Sequence, residues 1–420
     1  MSSFQIESNE SVLIASIELP ASKSISNRAL ILNAVRKQIG IAPLALVNLS
    51  EAEDTVHLIN ALANPTGLIN IDNAGTSLRF LCAYFAATPG IEVNLTGNQR
   101  MKQRPIQSLV SALQQMGAEI CYLEEENVLP IKIIGKKLSG GEVEIEAHES
   151  SQFSSALLLI APLLAKPLSL KMKGELSSLP YIKMSLAMLH EFGFTGELQK
   201  EESILIANQD IKETSINSYT IEADWSSAAF FYEAALLADK ADILLKGLRL
   251  NTIQGDGILH EWMLELGIKS IVKEEGIYIT KGKEPETDKF SFDFTNCPDL
   301  APAIICATAA AGYRLDAIGL SSLQHKESKR LTALQLALEN LAYKVQTKNS
   351  SELKHDGLQH HFYQNKTIET YEDHRLCMAF AMFAVFQSRI KLSEVTSVKK
   401  SFPNFWEEAA KIGLKKFSKN

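Results

Sequence analysis

Six segments of this chain share one grammar, a short polar cluster followed by a helix-length run rich in Ala and Leu. They are SKSISNRALILNAV, NAGTSLRFLCAYFAA, SSQFSSALLLIAPLLA, DWSSAAFFYEAALLA, PDLAPAIICATAAA and EDHRLCMAFAMFAVF. With Ser24, Asn73, Ser151, Ser226, Asp299 and Asp373 as markers, the last four follow one another at intervals of 75, 73 and 74 residues, and the third stands 78 after the second. A period of that length means one supersecondary unit used repeatedly. The first interval is only 49 residues, so one unit is truncated. Each marker supplies a Ser, Asn or Asp where a helix wants an N-cap, and each run is apolar nearly all round, which requires burial on most faces. Strand-like runs such as VLIASIEL, IEVNLTG, LPIKIIG and GIYITKG alternate with the helical blocks, with no long Pro- or Ser-rich linker between them. The class is therefore α/β (α+β), with sheets wrapped around six buried helices.

Composition narrows the function. The chain has 420 residues, 46% hydrophobic and 22% charged, enough to bury two or more cores. Its net charge of −7 excludes a protein that binds nucleic acid by bulk electrostatics. Five cysteines (Cys82, Cys121, Cys297, Cys306 and Cys377) are scattered, with no CxxC pair. That usage fits a reducing compartment without a disulfide framework or zinc site. No run reaches the roughly 18 apolar residues of a membrane span. The opening MSSFQIESNE lacks the basic start and apolar core of a signal peptide. A cytoplasmic protein without a membrane or nucleic-acid partner is expected.

The start of a helix presents free N–H groups and about half a positive charge, so six such ends could converge on an anion. Capped core helices alone would give the same spacing. The side chains at those starts favour the anion. Lys23 and Arg28 flank the first, Arg79 follows the second, Asp299 opens the fifth, and His374 and Arg375 open the sixth. Further basic clusters stand outside the helices: RMKQRP (Arg100, Lys102, Arg104), HKESKR (Lys326, Glu327, Lys329, Arg330) and VKKSFP (Lys399, Lys400). In an acidic chain these suggest a local basic cleft, although each alone could be a solvated surface. His360 and His361 lack metal-motif spacing and read as surface residues.

Ten motifs, in order and over nearly the whole chain, resemble the 5-enolpyruvylshikimate-3-phosphate synthase family: PASKSISNR, DNAGTSLR, LTGNQRMKQRPI, SSQF, SSLPYI, QGD, PDLA, HKESKR, YEDHR and KSFP. The resemblance implies a two-domain inside-out α/β barrel, each domain made of three βαβαββ-type units with buried helices. It places a domain for shikimate 3-phosphate at 20–221. A discontinuous domain, 1–19 plus 222–420, would carry the phosphoenolpyruvate site and the catalytic carboxylates, and the active site would lie in the cleft between the two.

The implied reaction joins phosphoenolpyruvate to the 5-hydroxyl of shikimate 3-phosphate and releases phosphate, with no metal or organic cofactor. By resemblance, Asp299 accepts the hydroxyl proton, Glu327 protonates the methylene carbon, Lys23 shares in proton transfer and His374 stabilises the intermediate. Shikimate 3-phosphate would be held by Lys23, Ser24, Arg28, Ser150, Ser151, Gln152, Ser178, Tyr181, Asp299 and Lys326. Phosphoenolpyruvate would be held by Lys23, Asn73, Gly75, Arg104, Gln152, Arg330, Arg375 and Lys400. The family default is a monomer.

Against the commonest bacterial pattern, the stretch from Asp54 to Asn73 is short and would lack strands. Phe80 stands where Pro is frequent, and Ser322 and Lys329 where Asn and Asp often stand. Two rivals remain. A sister transferase acting on UDP-N-acetylglucosamine carries a Cys acid in a Gly-rich loop, whereas Cys121 sits in the strand-like EICYLEEE. A non-catalytic anion binder gains nothing from keeping both Asp299 and Glu327.

Overall fold

The computed structural model describes residues 3–146, 151–174, 178–199, 204–208, 216–359 and 366–419. The chain divides into two compact units, one of Met1–Pro20 with Glu222–Asn420 and the other of Ala21–Ile221.

In the discontinuous unit, three helices run Trp225–Leu237, Ala301–Ala310 and His374–Gln387, and they pack on one another. Every residue of Ala301–Ala310 is buried, as is every residue of Trp225–Leu237 except Leu237. The Ala-rich composition explains this: small side chains let helices approach closely on all sides, where an amphipathic sequence would demand a wet face. Around them stand three four-stranded sheets of one design, each with a parallel outer pair followed by two strands paired antiparallel. The parallel pairs are Val12–Glu18 with Lys240–Lys246, Lys289–Asp293 with Arg314–Ile318, and Thr367–Ile368 with Arg389–Leu392. The parallel connection needs a crossover, which the buried helix supplies.

The other unit repeats the design around helices Lys23–Gln38, Gly75–Ala86 and Ser151–Ile160, which also contact one another. Among the described residues, two of its sheets are four-stranded and the third consists of Ala45–Val47 and Ser218–Thr220. Here the chain passes from helix Glu53–Ala63 directly to strand Gly67–Asn70, with no hairpin between. That missing hairpin is the physical content of the short first interval in the repeat. The helices are buried between sheets as the repeat requires. However, the sheets stay separate and open, so the term barrel does not describe them: among the described residues no sheet closes on itself.

Among the described residues, no helix is long and apolar enough to cross a membrane. All five cysteines are free thiols, and only Cys121 is exposed. One core residue breaks the apolar rule. Glu233 lies within the buried helix Trp225–Leu237, 1% exposed, with neither carboxylate oxygen meeting a hydrogen-bond donor. Burial pushes its carboxyl well above the usual range. The unfolded chain ionises this group as pH rises through about 4.3, while the folded chain still holds the proton, so stability falls with rising pH. Glu233→Met is therefore expected to stabilise the protein by an amount that grows from pH 4 to pH 8. Urea titrations at the two pH values check this, and an equal gain at both would contradict it.

Candidate active site

The discontinuous unit gathers charged groups from four segments. Asp299 lies in the one-turn helix Pro298–Leu300 that leads into the buried helix Ala301–Ala310. Its Oδ1 accepts from Lys326 Nζ at 3.1 Å and from Arg330 Nη1 at 3.3 Å, and its Oδ2 accepts from Arg375 Nη2 at 2.9 Å. Arg330 opens helix Arg330–Asn340 with its side chain only 1% exposed. From there it donates to Glu327 Oε2 at 2.6 Å and to both carboxylate oxygens of Asp373 at 3.0 and 3.1 Å. Glu327 also pairs through Oε1 with Lys400 Nζ at 2.9 Å.

One guanidinium thus ties three carboxylates together, using the planar fork that a lysine lacks. Burial opposes the charge on Asp299, but Arg375, Lys326 and Arg330 outweigh it and hold the carboxyl well below its usual range. Burial likewise opposes the charge on Arg330, and Asp373, Glu327 and Asp299 override it. Asp373 doubles as the N-cap of helix His374–Gln387, accepting from the Arg375 N–H at 3.1 Å, and it also accepts from Ser328 Oγ at 2.9 Å. His374 is buried beside it, 1% exposed.

The other unit holds a second constellation. Lys23 Nζ pairs with Asp54 Oδ2 at 2.8 Å, bringing together the first residue of helix Lys23–Gln38 and the second of helix Glu53–Ala63. Arg28, 2% exposed, donates from Nε to Ser185 Oγ at 2.8 Å and from Nη1 to the Ser24 carbonyl at 2.9 Å. Its Nη2 donates to Ser155 Oγ at 3.0 Å and to the Tyr181 carbonyl at 3.3 Å. Its guanidinium also lies over the Phe80 ring at 5.3 Å, so the Phe at that position packs beneath a buried cation. Burial lowers the Arg28 pKa to about 10, which leaves it charged at neutral pH.

Arg104, 7% exposed, lays its guanidinium against Gly75, so a Cβ at that helix start would force the guanidinium to move. The Gly75 N–H donates to the Asn73 carbonyl at 3.0 Å. Gln152 Nε2 donates to Thr76 Oγ1 at 3.2 Å, next to the buried Ser151. Ser178 is buried, in the left-handed backbone region at φ 57°. Ser150, His360 and His361 lie outside the described residues.

Glu327, Asp373 and His374 stand close enough to suggest a metal centre. The donor set does not fit one. Both carboxylates are already engaged by Arg330, and a cation between them would have to displace a buried guanidinium.

Each basic cluster resolves into buried and exposed members. Arg104, Arg330 and Lys400 point inward, while Lys329 and Lys399 are exposed and Lys102 pairs with the exposed Glu124. Arg79 serves structure, donating to the carbonyls of Gly75 at 3.1 Å and Pro105 at 2.8 Å. Sequence reasoning missed Asp54 as the partner of Lys23. It took Asp373 only as a helix marker, although YEDHR carries it, and gave Asp256 of QGD no role. An acidic residue at a helix start beside basic motifs was the available signal.

Comparison with known proteins places this architecture. The solved EPSP synthase of Acinetobacter baumannii superposes with a TM-score of 0.77 at 21% identity, covering 100% of both chains. The enolpyruvyl transferase NikO from Streptomyces tendae superposes at 0.71 with 13% identity, over 100% of this chain and 99% of that one. The fold is thus that of the enolpyruvyl transferases. A family model described as EPSP synthase (3-phosphoshikimate 1-carboxyvinyltransferase) matches residues 37–409. A 3-phosphoshikimate 1-carboxyvinyltransferase of Bacteroides fragilis is 40% identical over 400 residues, 95% of each chain. One of Pasteurella multocida is 33% identical over 422 residues, 93% of each. The chain belongs to the EPSP synthase family.

Proposed function

We infer that this chain carries out the family's reaction: enolpyruvyl transfer from phosphoenolpyruvate to the 5-hydroxyl of shikimate 3-phosphate, with release of phosphate. The observation that carries the residue assignment is the pair of carboxylates, Asp299 and Glu327, held by one buried arginine among four cations, Lys326, Arg330, Arg375 and Lys400. Such a set meets the two needs of the chemistry, proton transfer at two atoms and anion binding.

In the first step the hydroxyl oxygen bonds to C2 of phosphoenolpyruvate, Asp299 takes the hydroxyl proton, and Glu327 gives a proton to the methylene carbon. The product is a tetrahedral intermediate bearing a methyl group. In the second step Glu327 takes a proton from that methyl, the C–C double bond re-forms, the C2–O bond to phosphate breaks, and the proton held by Asp299 leaves with the phosphate, which resets both carboxyl groups. Lys23 is assigned a share in the proton transfer and His374 the stabilisation of the intermediate. Asp299 is ionised at neutral pH, as a base must be, because Arg375, Lys326 and Arg330 hold its carboxyl low against the opposing effect of burial.

The anions of phosphoenolpyruvate are assigned to Arg104, Arg330, Arg375 and Lys400, together with Lys23, Asn73, Gly75 and Gln152. Shikimate 3-phosphate is assigned to Lys23, Ser24, Ser150, Ser151, Gln152, Ser178, Tyr181 and Lys326, with Arg28 bracing Ser24 and Tyr181. The protein works as a cytoplasmic monomer on these small molecules. Arg28→Ala is expected to raise the KM for shikimate 3-phosphate by about tenfold or more, with a smaller fall in kcat. Steady-state kinetics at saturating phosphoenolpyruvate check this, and a kcat loss at unchanged KM would remove Arg28 from acceptor binding.

Phosphate release from phosphoenolpyruvate tests the reaction when measured alone, with shikimate 3-phosphate and with UDP-N-acetylglucosamine. Release only with shikimate 3-phosphate is expected. Release only with the UDP-sugar would reassign the acceptor, and silence with both in folded protein would favour a non-catalytic anion binder.

A further inference from the structure

Around Lys23 lies a set of buried polar side chains that the reaction above does not use. The helices Lys23–Gln38, Glu53–Ala63 and Gly75–Ala86 all begin without a side chain capping their first turn. Three residues, one from each helix, tie those starts together instead: Asn27, Thr55 and Ser77, none of which reaches solvent. Thr55 Oγ1 donates to Asn27 Oδ1 at 2.8 Å, and Asn27 Nδ2 donates to Ser77 Oγ at 3.3 Å. Ser77 Oγ in turn donates to the Asp54 carbonyl at 2.6 Å. Because Thr55 follows Asp54 in the chain, these bonds form a ring that closes on the Asp54–Thr55 peptide.

Asn27 uses its oxygen toward one helix and its nitrogen toward another, so its amide cannot turn without breaking both bonds. A buried network whose members are all engaged is rigid, and opening it leaves a buried polar group unpaired. Asn27 also stands one helical turn after Lys23, on the same face of the helix. The ring therefore sets the Asp54 carboxylate against the Lys23 ammonium, 2.8 Å away. Elsewhere in the fold the equivalent helix packs on the strand that follows it, as Leu259–Glu265 does on Ile268–Lys273. Glu53–Ala63 is followed by no such hairpin, and the ring ties its start in another way.

We propose that Thr55, with Asn27 and Ser77, is a positioning residue that fixes the Asp54 carboxylate and through it aims the Lys23 ammonium at the substrates. An ammonium has three donors; one is committed to Asp54, and two are left for an anion. Its flexible stem is then held in one place before substrate arrives, where a displacement of about 1 Å can cost about 10²-fold in rate. The contact of Lys23 with substrate rests on the enolpyruvyl-transfer reading.

The test is a double-mutant cycle on kcat/KM for phosphoenolpyruvate. Thr55→Val keeps the shape, removes the hydroxyl and is expected to lower this ratio about tenfold. Thr55→Ser, which keeps the ring, is expected to stay within about twofold of wild type. Asp54→Asn removes the ion pair and is expected to cost at least as much as Thr55→Val. In that background Thr55→Val is expected to cost less than about twofold further, because the route from Thr55 to Lys23 is already cut. A ring that only supports the fold would give additive losses. Ser77→Ala opens the ring at its other end and takes the place of Thr55→Val if that variant does not fold.

A readout independent of turnover is the Nζ signal of Lys23 in the NMR spectrum of 15N-lysine-labelled protein, assigned by its absence from Lys23→Arg. It should move in Thr55→Val and in Asp54→Asn and keep its place in Thr55→Ser. Additive losses in the cycle, or a Lys23 signal unmoved by Thr55→Val, overturn the proposal while leaving the reaction intact. If wild type releases no phosphate with shikimate 3-phosphate, the reaction reading fails instead, and the Lys23 signal alone decides whether the ring positions that side chain.

Discussion

Glu327→Gln is expected to lower kcat by about 10²- to 10⁴-fold while leaving shikimate 3-phosphate affinity within about threefold. Glutamine keeps the size of the side chain and one oxygen to accept from Arg330 or Lys400, which stand 2.6 and 2.9 Å from the carboxylate. What it loses is the ability to give a proton to carbon and take one back. Both steps of the proposed reaction need that exchange, so the loss falls on turnover. Rapid-quench single-turnover kinetics, with calorimetric binding of shikimate 3-phosphate alongside, separate the two effects. A large loss of binding with normal turnover of the bound fraction would make Glu327 a structural salt-bridge partner only.

Arg330→Ala is expected to act on the fold as much as on the chemistry. The side chain is 1% exposed and is the common partner of Asp299, Glu327 and Asp373, and the Asp373 side chain is 0% exposed. Removing it leaves buried negative charge uncompensated, a change that typically costs about 3–5 kcal/mol. Arg330→Lys restores the charge but not the fork, so it should recover only part of the stability and little activity. Urea unfolding midpoints at neutral pH check this. A loss below about 1 kcal/mol for Arg330→Ala would mean that Asp373 relaxes to other donors and that the cluster is less cooperative than its geometry implies.

Much of this was readable in the chain because burial leaves a pattern. A run such as PAIICATAAA can be stable in water only if it is enclosed, and its recurrence about every 75 residues required several enclosed helices. The short interval between Ser24 and Asn73 likewise announced the two-stranded sheet of Ala45–Val47 and Ser218–Thr220. The enclosure itself was less legible. Whether sheets join into a barrel depends on edge pairing between distant strands, which periodicity does not encode.

In the site, residue type was readable and direction was not. Lys399 and Lys400 are adjacent and identical, yet the first is exposed and the second reaches Glu327 at 2.9 Å. Asp54 carried only the weak signal of an acidic residue at a helix start, because its meaning comes from Lys23, which is 31 residues away in sequence and 2.8 Å away in space. Asp373 could be taken for a helix cap because it is one; its grip on Arg330 is a second use of the same carboxylate.

The most direct test follows the carbon atoms of the donor. Phosphoenolpyruvate labelled with 13C at its methylene carbon, mixed with shikimate 3-phosphate and the enzyme in D₂O, should yield a vinyl ether on the 5-hydroxyl and an equal amount of phosphate. Deuterium should appear in the methylene group, because that carbon passes through a methyl stage. Unchanged phosphoenolpyruvate, or phosphate released with pyruvate as the only carbon product, would contradict enolpyruvyl transfer by this chain.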